Sequence, residues 1–512
     1  MGRQESTGGH PGDAAAGHIP AGPAAAAGRP PASVVAALML TMALVALDAS
    51  VVATAVPQIV GDLGGFSVFS WLFAGYLLAI TVTLPVYGRL SDTFGRKPVL
   101  LFGTALFLAG SLLCGVAWDM ASLIVFRIVQ GLGGGALQGT VQTLAADLYP
   151  LKDRPRIQAR MSSVWAASAL AGPALGGLLA GYADWRWIFL ANLPPAGLAL
   201  WLAARHLSEP ARAPGGRGPV DWAGALTIAA CGSVLLFALV QGGVAWPWLS
   251  WPSLALLAAG AALAAAVVAV ERRAADPILP GWVWRRRTIA AVNLALGALG
   301  LLMVAPTAFV PTYAQTVLGL DPVTAGLVMS AMTLSWPLSA ALSQHVYRRI
   351  GFRDTAALGM AAAALALFAF TRLPYPGSPW QPALAMLALG AALGLFQLPL
   401  IVGVQSTVGW AERGTTTASV LFCRQVGQSL GAALFGAVAN ATLTTHLTGG
   451  HTLEAIPEAL DTEATAEPVR QAVATAVDHV FLGATAAAVA ALAVLLFLAP
   501  RRFPVLPDQQ LS

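Results

Sequence analysis

Three ionisable side chains lie well inside long apolar runs of this 512-residue sequence, namely Asp48, Arg127 and Arg424. Each charge costs about 3 kcal/mol at the centre of a bilayer unless it faces a cavity or a partner, so each is a candidate functional residue. A carboxylate removed from water holds its proton more tightly, whereas an arginine stays protonated. We therefore predict that Asp48 exchanges a proton and that Arg127 biases the binding of that proton. The alternatives are a structural Asp48 neutralised by a neighbouring span and an Arg127 that caps backbone carbonyls.

A second polar stretch, G-R-L-S-D-T-F-G-R-K-P-V-L at 88–100, joins two apolar runs. Its glycines permit a tight turn and close helix contact, and Asp92 is placed to accept the free N–H groups that begin the next helix. Its bases would hold this edge at the cytoplasmic face. The alternative is an ordinary basic loop. We predict that the stretch governs conformational switching rather than substrate binding, through Gly88, Asp92, Gly95, Arg96 and Lys97.

The composition predicts a membrane protein. Hydrophobic residues make up 57% of the chain and charged residues 10%, and the mean hydropathy is +0.72, which leaves too little polar surface for a soluble globule. The net charge of +5 is then loop charge that faces an anionic inner leaflet, so we expect membrane lipids and no nucleic acid as partners. The cysteines show no metal-ligand spacing and no G-x-x-x-x-G-K-[ST] motif occurs, so we expect no cofactor and a proton gradient as the energy source.

Windows of about 20 apolar residues predict an all-α membrane protein with fourteen spans. With both termini in the cytoplasm, 23 of the 28 Lys and Arg residues fall in cytoplasmic segments. Gly95-Arg96-Lys97 has a counterpart in Gly351-Phe352-Arg353, which indicates two six-span halves. The predicted segments are a cytoplasmic tail at 1–32, an N-terminal half at 33–206, a central linker with two extra spans at 207–288, a C-terminal half at 289–500 with an outer loop at 440–478, and a cytoplasmic tail at 501–512.

The motifs resemble those of the major facilitator superfamily. The 88–100 stretch is similar to the loop between the second and third spans of its transporters, although Ser91 and Thr93 replace the usual Ala and Arg. The sequence R-I-V-Q-G-L-G-G-G, which begins at Arg127, resembles the fourth span. L-D-A-S-V-V-A-T-A-V-P around Asp48 and F-C-R-Q-V-G-Q-S-L-G around Arg424 look like spans of the fourteen-span drug:proton antiporters of that superfamily, the EmrB/QacA type.

This resemblance covers about residues 33–500. It implies a major facilitator fold with fourteen transmembrane helices, arranged as two six-helix halves plus a central extra pair, and a cavity between the halves at the membrane midplane. Possible cavity residues are Gln130, Arg424 and Gln425.

Span five contains a stretch that resembles the g-x-x-x-G-P-x-x-G-G pattern that the antiporter family associates with antiport, with Ser168 in place of the first Gly. It reads S-A-L-A-G-P-A-L-G-G from Ser168. A proline removes a helical N–H and kinks the helix, and glycines let another helix lie against the bend. In physical terms the stretch is a hinge or a packing seam, formed by Gly172, Pro173, Gly176 and Gly177.

The resemblance implies a proton-coupled antiporter, not an enzyme, that exports small lipophilic compounds such as drugs or antibiotics. Because Asp48 is the only carboxylate well inside a predicted span, we expect neutral or monocationic substrates. Substrate and protons are then the partners, with no obligatory protein partner. The alternatives are a nutrient or metabolite facilitator or symporter on the same fold and, more remotely, a membrane-embedded transferase. The Ala-, Gly- and Arg-rich composition is typical of a GC-rich bacterial genome, which places the chain in a cytoplasmic (inner) membrane.

Overall fold

Helices make up most of the chain that the computed structural model describes, which comprises residues 30–52, 55–64, 71–209, 221–242, 246–247, 249–275, 277–375, 377–446 and 463–506. No β-sheet forms within these ranges, where the only bridge is isolated. The prediction of an all-α fold is confirmed.

The N-terminal half contains six spans and one short outer helix. The last span is formed by two consecutive helices, α7 and α8. The helices are α1 (Ala32–Val51), the short α2 (Val56–Leu63), α3 (Trp71–Phe94), α4 (Arg96–Gly115), α5 (Met120–Leu148), α6 (Arg154–Tyr182), α7 (Trp187–Leu190) and α8 (Leu193–His206).

Two further long helices lie between the halves in sequence, and six spans follow them. The central pair and the short helix after it are α9 (Trp222–Gln241), α10 (Trp251–Glu271) and α11 (Trp282–Arg285). The C-terminal half consists of α12 (Arg287–Val304), a π-helical turn (Ala305–Phe309), α13 (Val310–Thr316), α14 (Pro322–Ile350), α15 (Phe352–Phe370), α16 (Trp380–Ser406), α17 (Trp410–His446) and α18 (Glu463–Phe497).

The described helices account for fourteen spans. Thirteen stretches of the described chain are long and apolar enough to cross a bilayer, with α7–α8 and α12–α13 each counted as one. The fourteenth is α6, whose 29 residues exceed the roughly 20 that a crossing requires. The chain is a multi-pass membrane protein, and this number agrees with the one predicted.

Small residues allow the apolar helices to pack closely. A side chain at Gly133 of α5 would overlap the backbone of Phe107 on α4, and one at Gly427 of α17 would overlap Gly297 on α12. The C-terminal half has one continuous core, whereas the core residues of the N-terminal half form several smaller clusters. The halves are therefore separately packed bodies that meet along an interface.

The loops that join α3 to α4 and α14 to α15 share one backbone feature. Gly95 and Gly351 have φ angles of 103° and 89°, a region that L-amino acids with side chains rarely adopt. Each glycine directly precedes the next helix, α4 in one half and α15 in the other. The two loops occupy equivalent places, as the internal repeat predicts.

The predicted segment ends need two corrections. The outer loop at 440–478 is shorter than predicted, because α17 continues to His446 and α18 begins at Glu463. The predicted tail at 501–512 is packed at its start, where Phe503 is buried in the core and Leu506 N donates to Ser406 O at 3.1 Å. Residues 1–29, which hold most of the predicted N-terminal tail, 447–462 and 507–512 lie outside the described residues.

Candidate functional site

The Asp48 carboxylate lies in a closed polar cluster between α1 and α5. Arg127 Nη1 donates to Asp48 Oδ2 at 2.5 Å, and Gln130 Nε2 donates to Asp48 Oδ1 at 2.9 Å. All three residues are at most 1% exposed. Removing one partner of such a buried ion pair costs about 3–5 kcal/mol, since it leaves the other charge uncompensated. Asp48 and Arg127, predicted separately as coupling residues, therefore form one unit.

Gln130 belongs to this cluster and not to the cavity, contrary to the sequence prediction. Its Oε1 accepts from Arg127 Nη1 at 2.8 Å, and its Nε2 also donates to Ser111 Oγ at 3.0 Å. These bonds occupy both ends of the amide. Gln130 follows Arg127 by three residues, a spacing that places both side chains on one face of a helix.

Sequence analysis missed Asn192 as a member of the cluster. Asn192 Nδ2 lies 3.2 Å from Asp48 Oδ1 and 3.2 Å from Ser111 Oγ. Ser111 Oγ in turn donates to Phe189 O at 3.0 Å. The residue lies immediately before α8, in the apolar sequence W-I-F-L-A-N-L-P, where an isolated asparagine is the signal that could have indicated it.

Two further contacts fix the Arg127 guanidinium. Its Nε donates to Leu72 O at 3.3 Å, and its central carbon lies 4.0 Å from the centroid of the Tyr76 ring. The cluster thus joins α1, α3, α4, α5 and the start of α8. Protonation of Asp48 would remove the charge partner of Arg127 and one hydrogen-bond acceptor, so the protonation state of Asp48 is linked to the packing of these five helices.

A separate cavity of about 270 Å³ lies between the two halves. α1, α5 and α6 line it from the N-terminal half, and α12, α14, α16 and α17 line it from the C-terminal half. Its apolar lining includes the flat rings of two tryptophans and the flexible side chains of four methionines, namely Trp165, Trp336, Met42, Met161, Met303 and Met332. Its polar amides are Gln138, Gln142, Gln158, Gln397 and Gln428.

The cavity contains one charged side chain among its described lining residues, Arg424 of α17. Its placement agrees with the sequence prediction. The adjacent Gln425 is not among the lining residues, so its prediction as a cavity residue is not supported. Asp48 is 1% exposed and does not line the cavity, although Met42 on the same helix does. The spacing of six residues along α1 corresponds to about 9 Å.

Asp92 joins the two halves at the end of the bundle where α3 meets α4. Its carboxylate accepts from the backbone N–H groups of Gly414 at 2.9 Å and Thr415 at 2.6 Å, both near the start of α17. The Arg96 guanidinium lies 2.9 Å from the same carboxylate. A side chain at Gly88 would overlap Gly414 and Ala418, so this glycine is needed where α3 crosses α17. Three of the predicted switch residues, Gly88, Asp92 and Arg96, therefore lie at the contact between the halves.

Asp147 of α5 extends this contact into a charge network. Its carboxylate accepts from Arg96 Nε at 2.9 Å and from Arg413 Nη1 of the opposite half. The Arg96 side chain also donates to Trp410 O at 2.5 Å and stacks over the Trp410 ring. These bonds hold the two halves together at the end of the bundle that contains the α3–α4 loop.

The start of α4 is capped by a residue that the sequence did not indicate. Arg96 N donates to Glu209 Oε1 at 2.5 Å, and Lys97 N donates to Glu209 Oε2 at 3.3 Å. Asp92, which was predicted to accept these N–H groups, instead bonds to α17. Lys97 Nζ donates to Ala204 O at 2.7 Å, so this base binds the end of α8.

The span-five stretch packs α6 against α1. A side chain at Gly172 would overlap Ser50, whose hydroxyl donates to Ser168 O at 3.1 Å. Gly176 is also buried. The packing around Pro173 and Gly177 is not part of what the structure describes, so the predicted kink stays a prediction. This seam lies two residues from Asp48, on a helix pair that also lines the cavity.

Comparison with known proteins identifies the relatives of this chain. The sequence model described as Major Facilitator Superfamily matches residues 38–432. "Multidrug transporter protein MdtP" of Bacillus subtilis (strain 168) is 33% identical over 406 residues, which are 79% of this chain and 74% of that protein. "Multidrug resistance protein 3" of the same organism is 31% identical over 415 residues, which are 81% of this chain and 80% of that protein.

Solved structures match at lower sequence identity and bear on the fold alone. The human organic anion transporter MFSD10 aligns with a TM-score of 0.59 and 16% identity, over 91% of this chain and all of that one. The proton:xylose symporter XylE aligns with a TM-score of 0.58 and 15% identity, over 93% of this chain and 98% of that one.

Proposed function

Because this chain belongs to the major facilitator superfamily, we propose that it is a proton-coupled antiporter that exports small lipophilic compounds, such as drugs or antibiotics, across a bacterial cytoplasmic membrane. The observation that carries this proposal is the closed Asp48–Arg127 pair beside a cavity that both halves line. One helix, α1, contributes to the pair and to the cavity. The chain's membership of the superfamily, with multidrug transporters among its relatives, does not depend on this coupling mechanism.

The halves move against each other about the central cavity. The network of Asp92, Arg96, Asp147 and Arg413 holds the cytoplasmic ends together, so the described conformation is closed on that side. Opening to the cytoplasm requires these bonds to break and the outer ends to approach. The network is thus the device that stabilises one of two alternating states.

Proton coupling follows from the chemistry of the Asp48 cluster. The ionised carboxylate accepts hydrogen bonds from Arg127, Gln130 and Asn192. A proton that reaches Asp48 from the acidic outer side ends the ion pair and loosens the contact between α1 and α5. Release of that proton to the cytoplasm restores the pair. Because α1 and α6 share the Ser50–Gly172 seam, this change reaches helices that line the cavity.

A vesicle assay tests the proposal. Purified protein in proteoliposomes with an acidic lumen should accumulate the neutral lipophilic dye N-phenyl-1-naphthylamine against its gradient, and a protonophore should abolish the accumulation. Dye that only equilibrates, at a rate independent of the pH gradient, would indicate a facilitator. Dye and protons that move in the same direction would indicate a symporter. Either result would overturn the antiport proposal.

A further inference from the structure

Arg424 differs from three buried arginines of the described chain, Arg96, Arg127 and Arg413. Arg96, Arg127 and Arg413 each form an ion pair with a carboxylate. In the described part of the chain, the Arg424 guanidinium has no hydrogen-bond or ion-pair partner, although it lies half-buried on the cavity wall. A cation without a partner in a site of low dielectric costs several kcal/mol, so an anionic ligand there gains strongly from binding.

The described residues that line the cavity offer no carboxylate with which a cationic substrate could pair. Among the described lining residues there is no Asp or Glu, and Asp48 is held by Arg127 outside the lining. The expectation of monocationic substrates required Asp48 to face the cavity, which it does not. A cationic compound would meet the Arg424 charge with no carboxylate to offset it.

The shape of the guanidinium points to a particular anion. Its planar N–H donors match the two oxygens of a carboxylate, and this bidentate pairing is among the strongest hydrogen-bonded contacts in proteins. The Trp165 and Trp336 rings and the methionines offer apolar walls for a flat body. A volume of about 270 Å³ suits a small ligand.

A second orphan group lies on the same wall. In the described residues, Gln397 Oε1 is buried without a hydrogen-bond partner. This oxygen only accepts, so it complements a ligand N–H or O–H. Arg424, whose side chain only donates, and Gln397, whose Oε1 has no partner among the described residues, thus both line the cavity.

We propose that the cavity binds small aromatic or lipophilic carboxylic acids, whose carboxylate pairs with Arg424. This inference rests on the proposed transport function, because it names the substrate class of that same cavity. Neutral compounds of similar shape bind more weakly, and matched cations bind weakest. A hydroxyl or amide N–H on the ligand adds a bond to Gln397.

A matched probe series tests the substrate class. The probes are 1-naphthaleneacetate, its methyl ester and 2-(1-naphthyl)ethylamine, which share one ring system and differ in charge. Titration of the purified protein, followed by naphthalene fluorescence, should show the carboxylate binding at least tenfold more tightly than the amine. In Arg424→Gln the carboxylate should lose at least tenfold in affinity and the ester less than threefold. Arg424→Lys keeps the charge without the planar fork and should give an intermediate loss.

The control is Arg349→Gln, which removes an exposed arginine at the end of α14 and should change none of the three affinities. Ester binding by Arg424→Gln shows that this variant is folded. If Arg424→Gln is not folded, the loss of carboxylate affinity is measured in Arg424→Lys instead. Equal binding of amine and carboxylate, absent carboxylate binding, or an unchanged carboxylate affinity in both Arg424 variants would overturn the inference. A further outcome is that the affinities are as expected while no probe is transported by a pH gradient. That result would support the binding site and contradict only the proposed function.

Discussion

Arg413 of α17 forms an ion pair with Asp147 of α5, and this bond links the two halves at the end of the bundle that contains the α3–α4 loop. Asp147 also binds Arg96 of its own half at 2.9 Å, so one carboxylate serves two arginines. The side chains of all three are at most 8% exposed, where neither solvent nor salt screens the pair strongly. Removal of the Asp147 charge should therefore weaken the contact between the halves without altering the cavity.

Asp147→Asn should favour opening of the cavity to the cytoplasm, because it leaves Arg96 and Arg413 without this carboxylate. A cysteine placed at Gln142, in an otherwise cysteine-free protein, should react at least tenfold faster with an impermeant thiol reagent added to inside-out vesicles. Asp153→Asn is the control, since its ion pair with Arg156 is 3.8 Å long and the arginine is well exposed. An unchanged labelling rate in Asp147→Asn would show that the network does not hold the halves closed.

Asp92→Asn should slow transport and leave substrate affinity within about twofold. The amide loses the charge that attracts Arg96 and the N–H groups of α17, but Asp92 lies where α3 meets the start of α17 and not in the cavity. Transport rate and equilibrium binding of the same dye should be measured side by side. A large loss of affinity with normal turnover would assign Asp92 to binding and contradict a switching role.

Gly172→Ala should destabilise the protein by about 1–3 kcal/mol and reduce transport, because the new methyl group overlaps Ser50. Thermal unfolding in detergent and dye transport measure the two effects. Ser50→Gly in the same chain removes the overlapping atoms and should restore part of both. Gly197→Ala on α8 is the control, since nothing lies within 4 Å of the added atom. Wild-type stability in Gly172→Ala would mean that the α1–α6 seam is not tight.

Cysteine labelling tests the predicted orientation of the chain in the membrane. In a cysteine-free background, Gln471→Cys should react with an impermeant reagent added to intact cells, and Arg273→Cys should react only after the membrane is opened. Both positions are exposed in the structure, near the start of α18 and after α10. The reverse pattern would place both termini outside and contradict the charge distribution on which the topology rests.

The sequence indicates the spans and the intramembrane charges because both follow from the cost of placing polar groups in a bilayer. Asp48, Arg127 and Arg424 are prominent for that reason, and the structure places the first two in contact and the third in the cavity. Asn192 is neutral, so placing it in an apolar run costs less free energy than placing a charge there. The sequence therefore indicates its role only weakly. Gln130 was assigned to the cavity, although its spacing from Arg127 already favours the same face of α5.

Contacts between the halves could not be predicted from local sequence. Asp92 and Gly414 are separated by 322 positions, and either could satisfy its polar groups nearby. Asp92 near the start of α4 fits a capping role equally well by sequence, and only the packing of α3 on α17 decides between the two. The same limit applies to Glu209, which caps α4 from beyond the end of α8.

Asp48→Asn gives the most direct test of proton coupling. Proteoliposomes with a trapped pH indicator and no initial pH gradient should show proton movement opposite to the dye when N-phenyl-1-naphthylamine is added to wild-type protein. Asp62→Asn, at an acid of α2 whose side chain is 49% exposed, should behave as wild type. Asp48→Asn should insert and bind the dye but move no protons, because an amide cannot exchange the proton. Dye-induced proton movement at the wild-type rate in Asp48→Asn would contradict the assignment.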